Sequence, residues 1–311
     1  MFTSPILRAL IHGLCATILL AFAAACSTSG DDAAASTTPQ TEQPEPDRFE
    51  ELRQQADEAY AGRGDFQQAQ KAIGLWEQAL QTDTAIADEV TRAELHEAIA
   101  KAHYFIARYH HADGVEITSN EALEDSVNAG LDAAEEALQI RAPEFYGALQ
   151  RGAPFEEDLP PANEEAVDAL LWFAKNLTLL SHIDGVSADV SATPVVEAIM
   201  EFIIDVRPET HHGAALRYFG VHRVHRPFHR SPEQSREAFE KSLEMEPNFL
   251  LTRLLQARHL ATFQGDREFF ESELRAIIDS TNDGAVQSLP ENEMARQWAT
   301  SLLEQSDELF D

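Results

Sequence analysis

From Arg48 onward apolar residues recur three and four positions apart, and runs of strict alternation are nearly absent. A chain with that period buries one stripe of each helix and leaves no strand edge to pair, so an all-α fold is expected. The helical stretches come in consecutive pairs, at roughly the ~34-residue spacing of tetratricopeptide-like units. A single pair cannot cover its own apolar face. Pairs must therefore stack, and the sequence predicts a right-handed helical-repeat (TPR-like) solenoid of about five helix pairs plus a C-terminal capping helix.

The first pair reads EELRQQADEAYAGRGDFQQAQKAIGLWEQALQTD, with Ala56 and Tyr60 facing inward, Gly64-Asp65 turning the chain, and Trp76 and Ala79 filling the return helix. A second runs from about Thr91 to Ala112 and from Asn120 to Ile140, with Gly130, Ala133, Ala134 and Ala137 where helices approach closely. Pro160-Pro161 break the chain, Asn163 can cap the next helix, and NEEAVDALLWFAKNLTLLSHI is apolar over most of its surface, as a central helix must be. Thr193-Pro194 read as the opening of its partner, which closes at Pro208. The fourth pair spans His211 to Pro247, with Gly213, Ala214, Ala215 and Gly220 on its first helix and Phe239 on its second. Between them, in RPFHRSPEQS, Phe228 plugs the turn, Ser231 caps the second helix and Pro232 takes its first position. LLTRLLQARHLATF and REFFESELRAIID form a fifth pair through Gln264-Gly265-Asp266, and ENEMARQWATSLLEQSDELF caps the open end.

The N-terminus is of a different kind. One cation, Arg8, precedes an apolar run from Gly13 to Ala25 that ends in small residues, the layout of a secretory signal. That run is shorter than the ~20 apolar residues of a membrane-spanning helix. Small residues directly before Cys26 resemble a bacterial lipobox, although Ala23 stands where leucine is preferred; a plain secretory signal is the alternative. On this reading residues 1–25 are a lipoprotein signal peptide, residues 26–47 a lipidated cysteine and a Ser-, Thr-, Pro- and acid-rich disordered tether, and residues 48–311 the helical domain. Ser27 resembles the sorting pattern for outer-membrane lipoproteins of Gram-negative cells. Cys15 lies in the signal, so a mature chain would have no disulfide.

With 23 basic against 54 acidic residues, the formal charge is -31. Such a surface repels nucleic acid and anionic membranes. The acids are scattered, as on a solvated face, with cation binding as the other reading. No phosphate-binding glycine loop, GxSxG or HExxH is present, although His96-Glu97 come near the last. Among the twelve histidines, His96, His103 and His110 share a helical stripe at seven-residue steps, too far apart for one metal, whereas His222 and His225 are close enough. Packing histidines and a zinc-type site both fit that spacing. Aromatic residues cluster in the middle of the chain: Trp172, Phe173, Phe202, Tyr218 and Phe219 suit a ligand or channel lining, and suit a plain core as well.

Four stretches in order, VDALLWFAKNL with Leu171-Trp172-Phe173, GAALRYFGVH, EAFEKSLEMEPNFLLTRLLQARHLATFQGDREFFESEL and ENEMARQWATSLLEQSDELF, resemble the T component of TRAP-type transporters over roughly Leu123 to Phe310. That family consists of periplasmic lipoproteins built from degenerate tetratricopeptide repeats. The resemblance implies stacked helix pairs, a trimeric assembly, an apolar channel and a periplasmic solute-binding protein as partner. It implies binding rather than catalysis, with no cofactor. The alternatives are an envelope scaffold that binds proteins through its concave face without a small ligand, and a metal-dependent enzyme.

Overall fold

The computed structural model describes residues 48–112, 114–151, 163–226, 229–281, 284, 286 and 289–310. The signal, Cys26 and the tether, Pro160-Pro161 and Phe228 lie outside the described residues. Within them the fold is all-α, without a strand.

Helices α1 (Arg48–Ala61) and α2 (Phe66–Ala79) form the first pair, and the short α3 (Asp83–Ala87) leads to the second. There α4 (Glu89–Phe105), prolonged by a π-helical segment Ile106–His111, packs on α5 (Glu121–Arg141), which α6 (Pro143–Gln150) follows. The third pair is α7 (Val167–Asp184) with α8 (Val186–Val206), and the fourth is α9 (Thr210–His225) with α10 (Pro232–Met245). Helix α11 (Leu250–Leu255) passes through a second π-helical segment, Gln256–Ala261, into Thr262–Gln264, and packs against α12 (Arg267–Ile278) and α13 (Pro290–Glu304); α14 (Ser306–Phe310) comes last.

Local chemistry sets the helix starts. Asp65 accepts from the backbone amides of Gln67 (2.7 Å) and Gln68 (3.2 Å), Asn163 from that of Ala166 (3.0 Å), and Ser231 from that of Gln234 (3.3 Å), with Pro232 in the first turn. Each side chain satisfies an amide that the helix cannot pair internally.

The central helix is α7, whose Leu170, Leu171, Phe173, Leu177 and Leu180 are all buried. It packs on α5 where Gly130 lies against the Asn176 amide, and on α4, where that amide donates to the Ala100 carbonyl (3.4 Å) as well as to Trp172 (2.8 Å). Its partner corrects one expectation. Thr193-Pro194 do not open α8; the helix begins seven residues earlier, after Gly185, and Pro194 sits inside it. Gly185 makes the break itself with φ 96°, a backbone that a side chain would resist. Pro194 faces solvent, while Ala188, Ala192, Val195, Val196, Ile199 and Ile203 hold the other face in the core. Packing along the full length thus outweighs the lost hydrogen bond.

The last long helix does more than cover an end. The Arg63 guanidinium, at the α1–α2 turn, donates to both carboxylate oxygens of Glu291 on α13 (2.5 and 3.2 Å). Trp298 of α13 stacks on Tyr109 at 5.3 Å with the planes 1° apart. The first turn of the array therefore meets its last long helix, and the helix pairs close into a ring.

Candidate functional site

Helical spacing puts Lys101, Tyr104 and Arg108 on one stripe of α4 and its π extension, and Asp168, Trp172 and Lys175 on one stripe of α7. Since α4 packs on α7, the stripes meet. The Lys175 ammonium lies over the Tyr104 ring at 4.2 Å and over Trp172 at 5.0 Å, and Lys101 lies over Tyr60 at 4.9 Å. The rings of Tyr104 and Trp172 are 5.8 Å apart, and the edge of His211 meets Trp172 at 4.6 Å.

Two buried guanidinium groups complete the cluster. Arg108, carried on the π-helical segment, lies over Trp298 at 4.4 Å and donates to the carbonyls of Gly114 (2.7 Å) and Val115 (2.8 Å). Arg217 of α9 lies over Phe249 at 4.5 Å and donates to the carbonyls of His211 (2.7 Å) and His212. Those carbonyls are presented by a left-handed turn, with φ of 46°, 61° and 75° at His211, His212 and Gly213. A side-chain-bearing residue in that region costs about 1–2 kcal/mol. Contacts on either side offset it: Asp168 Oδ1 lies 3.2 Å from His211 Nε2, while Oδ2 accepts from Arg207 at 2.5 Å.

The two lysines differ from the arginines in having no acceptor. Among the described residues neither has an ion pair or hydrogen bond, and both residues are half-buried. A cation over a ring gains about 0.5–2 kcal/mol. Withdrawing an ammonium from water costs several kcal/mol. The aromatic walls therefore do not compensate the charge, and burial, with Arg217, Arg108 and Lys101 nearby, pushes the Lys175 ammonium down to about 7. Burial and Arg63 likewise lower Lys101. Asp168 would be raised by its burial, but His211 and Arg207 outweigh that and hold it at about 2.

The model of the TRAP transporter T-component family matches residues 124–310, more than half of the chain. The chain belongs to that family. No curated relative matches it. A T component is a part of a transporter, which sets this chain with transport rather than catalysis. Among the described residues no three His, Cys, Asp or Glu side chains gather as a metal site, and no helix is long and apolar enough to cross a membrane.

In this T-component chain the aromatic residues singled out in the sequence occupy three places. Trp172 is buried in the main core, 5% exposed, with one side toward the lysine cluster. Phe173, next to it, is fully buried in the main core. Tyr218 and Phe219 meet at 5.2 Å, Tyr218 stacks on His222 at 5.1 Å, Arg223 lies over Phe219 at 4.9 Å, and Phe202 packs at the edge of the same core. The histidines disperse too. His222 Nε2 lies 3.1 Å from Glu197 Oε1, and His225 pairs with His259 at 2.9 Å. The sequence reading overlooked the cations altogether. The signal that could have found them was Lys175 itself, the one cation in the apolar run VDALLWFAKNL.

Proposed function

We propose that this chain is the accessory T component of a TRAP-type transport system, which docks a periplasmic solute-binding protein and takes a small molecule with an apolar body into the ring of helix pairs. Membership in the T-component family supports the transport role. The ligand reading is carried by one observation: Tyr104 and Trp172 stand beside half-buried lysines that have no carboxylate partner among the described residues, on the facing stripes of α4 and α7. Trp172 lines the site in this reading, with Phe173 behind it, and Phe202, Tyr218 and Phe219 form the wall of the next repeat. The repeats are degenerate tetratricopeptide units. A lipid on Cys26 holds the protein at the outer membrane of a Gram-negative cell, facing the periplasm, and residues 26–47 give it reach. The homotrimer implied by the family resemblance is kept as its assembly, though the aromatic and cationic cluster is complete within one chain.

The test is a mild-detergent pull-down of the full lipoprotein from its own envelope, with mass spectrometry of both proteins and organic extract. Recovery of a solute-binding protein together with a small molecule is the expected result. Recovery of assembly proteins alone, with an empty extract, would replace this reading by that of an envelope scaffold.

A further inference from the structure

His225 stands in the last turn of α9, and His259 in the π-helical segment Gln256–Ala261 that follows α11, so the two belong to different helix pairs. Their ring nitrogens face each other. Nε2 of His225 lies 2.9 Å from Nδ1 of His259, with the ring centroids 4.9 Å apart and the planes at 86°. His225 is exposed, so the pair opens to solvent. A hydrogen bond between two neutral rings contributes little there, because water can replace it. Burial, Arg258 and Arg230 push His225 below the usual histidine range, and burial, His225 and Arg258 push His259 well below it, against the opposing charge of Glu116 on His225. Both rings are therefore neutral at neutral pH, the form in which imidazole binds a metal. The cations around them are already engaged: Arg258 donates twice to Glu116 Oε1 (2.5 and 2.9 Å), Arg230 donates to the Arg226 carbonyl (3.0 Å), and His182 lies beside Asp189 at 3.5 Å.

We propose that His225 and His259 are the protein ligands of a divalent transition-metal site of the zinc or copper class, which ties α9 to the π-helical segment after α11. Two imidazole nitrogens on a tetrahedral ion, at the usual Zn–N length of ~2.0–2.1 Å, stand about 3.3 Å apart, so the rings need part by only a few tenths of an ångström. Imidazole suits these ions and not magnesium or calcium. Among the described residues no group of three His, Cys, Asp or Glu side chains is placed to hold a metal, so water completes the coordination. Glu116, whose charge acts on His225, is the carboxylate at hand to balance the ion. The formal charge of -31 draws cations to the surface as a whole, and the paired rings select among them. A π-helical segment suits the role, since π turns are rare and gather at functional sites. This site is separate from the ligand reading of the ring and does not rest on it.

The experiment is calorimetric titration of the full chain with Zn²⁺ and with Cu²⁺, against Mg²⁺ as the measure of diffuse attraction to the acidic surface. Zn²⁺ is expected to bind at least about tenfold tighter than Mg²⁺, and His225→Ala and His259→Ala should each weaken it by about tenfold or more. His182→Ala, a neighbour outside the pair, should leave the affinity within about twofold. Electron paramagnetic resonance of the Cu²⁺ form should show coupling to two imidazole nitrogens, and to one fewer in either variant of the pair. His225 is exposed, so His225→Ala should keep the metal-free thermal midpoint of the parent chain and lose the rise that Zn²⁺ gives it. Mg²⁺ bound as tightly as Zn²⁺ would overturn the site and assign the binding to the acidic surface. Unchanged affinity in both variants of the pair, an equal loss in His182→Ala, or no binding of either transition metal would overturn it as well. None of these outcomes bears on the ligand reading of the ring.

Discussion

A methyl group on Gly220 would stand 2.7 Å from the ring carbons of Phe239, and that ring is fully buried. Neither partner has room to move: Ser235 donates to the Gly220 carbonyl at 2.5 Å, tying α10 to α9 at the same point. Gly220→Ala should therefore destabilise by about 1–3 kcal/mol, the usual cost of overpacking, read as a lower urea midpoint with an unchanged slope. An unshifted midpoint would mean that the two helices separate freely. This contact was half legible. Gly220 and Phe239 can be picked out as the small and large residues of a repeat, but not as each other's neighbours. Opposite Gly130 stands a fully buried asparagine, Asn176, which no repeat pattern anticipates. Lys101 and Lys175 were harder still. Pattern reading treats a charge as solvent-facing, and only three-dimensional closure shows that these two face inward.

The elements themselves were the most legible part of the chain, because a period of three and four survives any single odd residue. Helix α8 marks the limit. Thr193-Pro194 carry the local signature of a helix start, yet the helix runs through them from Val186. Proline there removes one backbone hydrogen bond, and Val190, whose carbonyl it frees, lies on the exposed side. Thr193 turns its hydroxyl onto the carbonyl of Asp189 at 2.8 Å. Pro194→Ala should restore the missing bond and relieve the ring clash, against a smaller loss from the freer unfolded chain. The expected net effect is a gain of about 1 kcal/mol or more in unfolding free energy, with the proline costing up to ~3 kcal/mol in a helix interior. A loss of stability would instead assign Pro194 a packing role.

Closure governs the molecule as a whole. Its response to acid follows from buried groups: desolvation pushes His103, His211 and His222 down to about 4. Unfolded, each binds a proton near pH 6.5, so between about 6.5 and 4 the unfolded chain holds more protons and stability falls as pH falls. Glu97 opposes them, since burial raises it to about 7 and its contribution grows on acidification. Burial lowers His96, His111, His212, His225 and His259 as well, while Asp132, Asp184 and His182 are raised and side with Glu97. The more numerous lowered imidazoles predict a lower urea midpoint at pH 5 than at pH 7, and a midpoint equal or higher at pH 5 would contradict it. Closure itself was not legible. A stack of pairs in sequence has two free ends, and nothing in ENEMARQWATSLLEQSDELF names Arg63 as a partner. The pair between Arg63 and Glu291 is well shielded, with side chains 9% and 16% exposed, and His110 Nε2 reaches the Arg63 carbonyl at 2.9 Å. Glu291→Ala strands the guanidinium, a change that costs about 3 kcal/mol or more when one partner of a buried pair is lost. Because the contact joins segments more than two hundred residues apart, its loss should appear at both. Amide hydrogen exchange is expected to quicken together in α1 and in α13, with α7 unchanged. Quickening in α13 alone would make that helix a simple cap, and the ring an arrangement that does not depend on this contact.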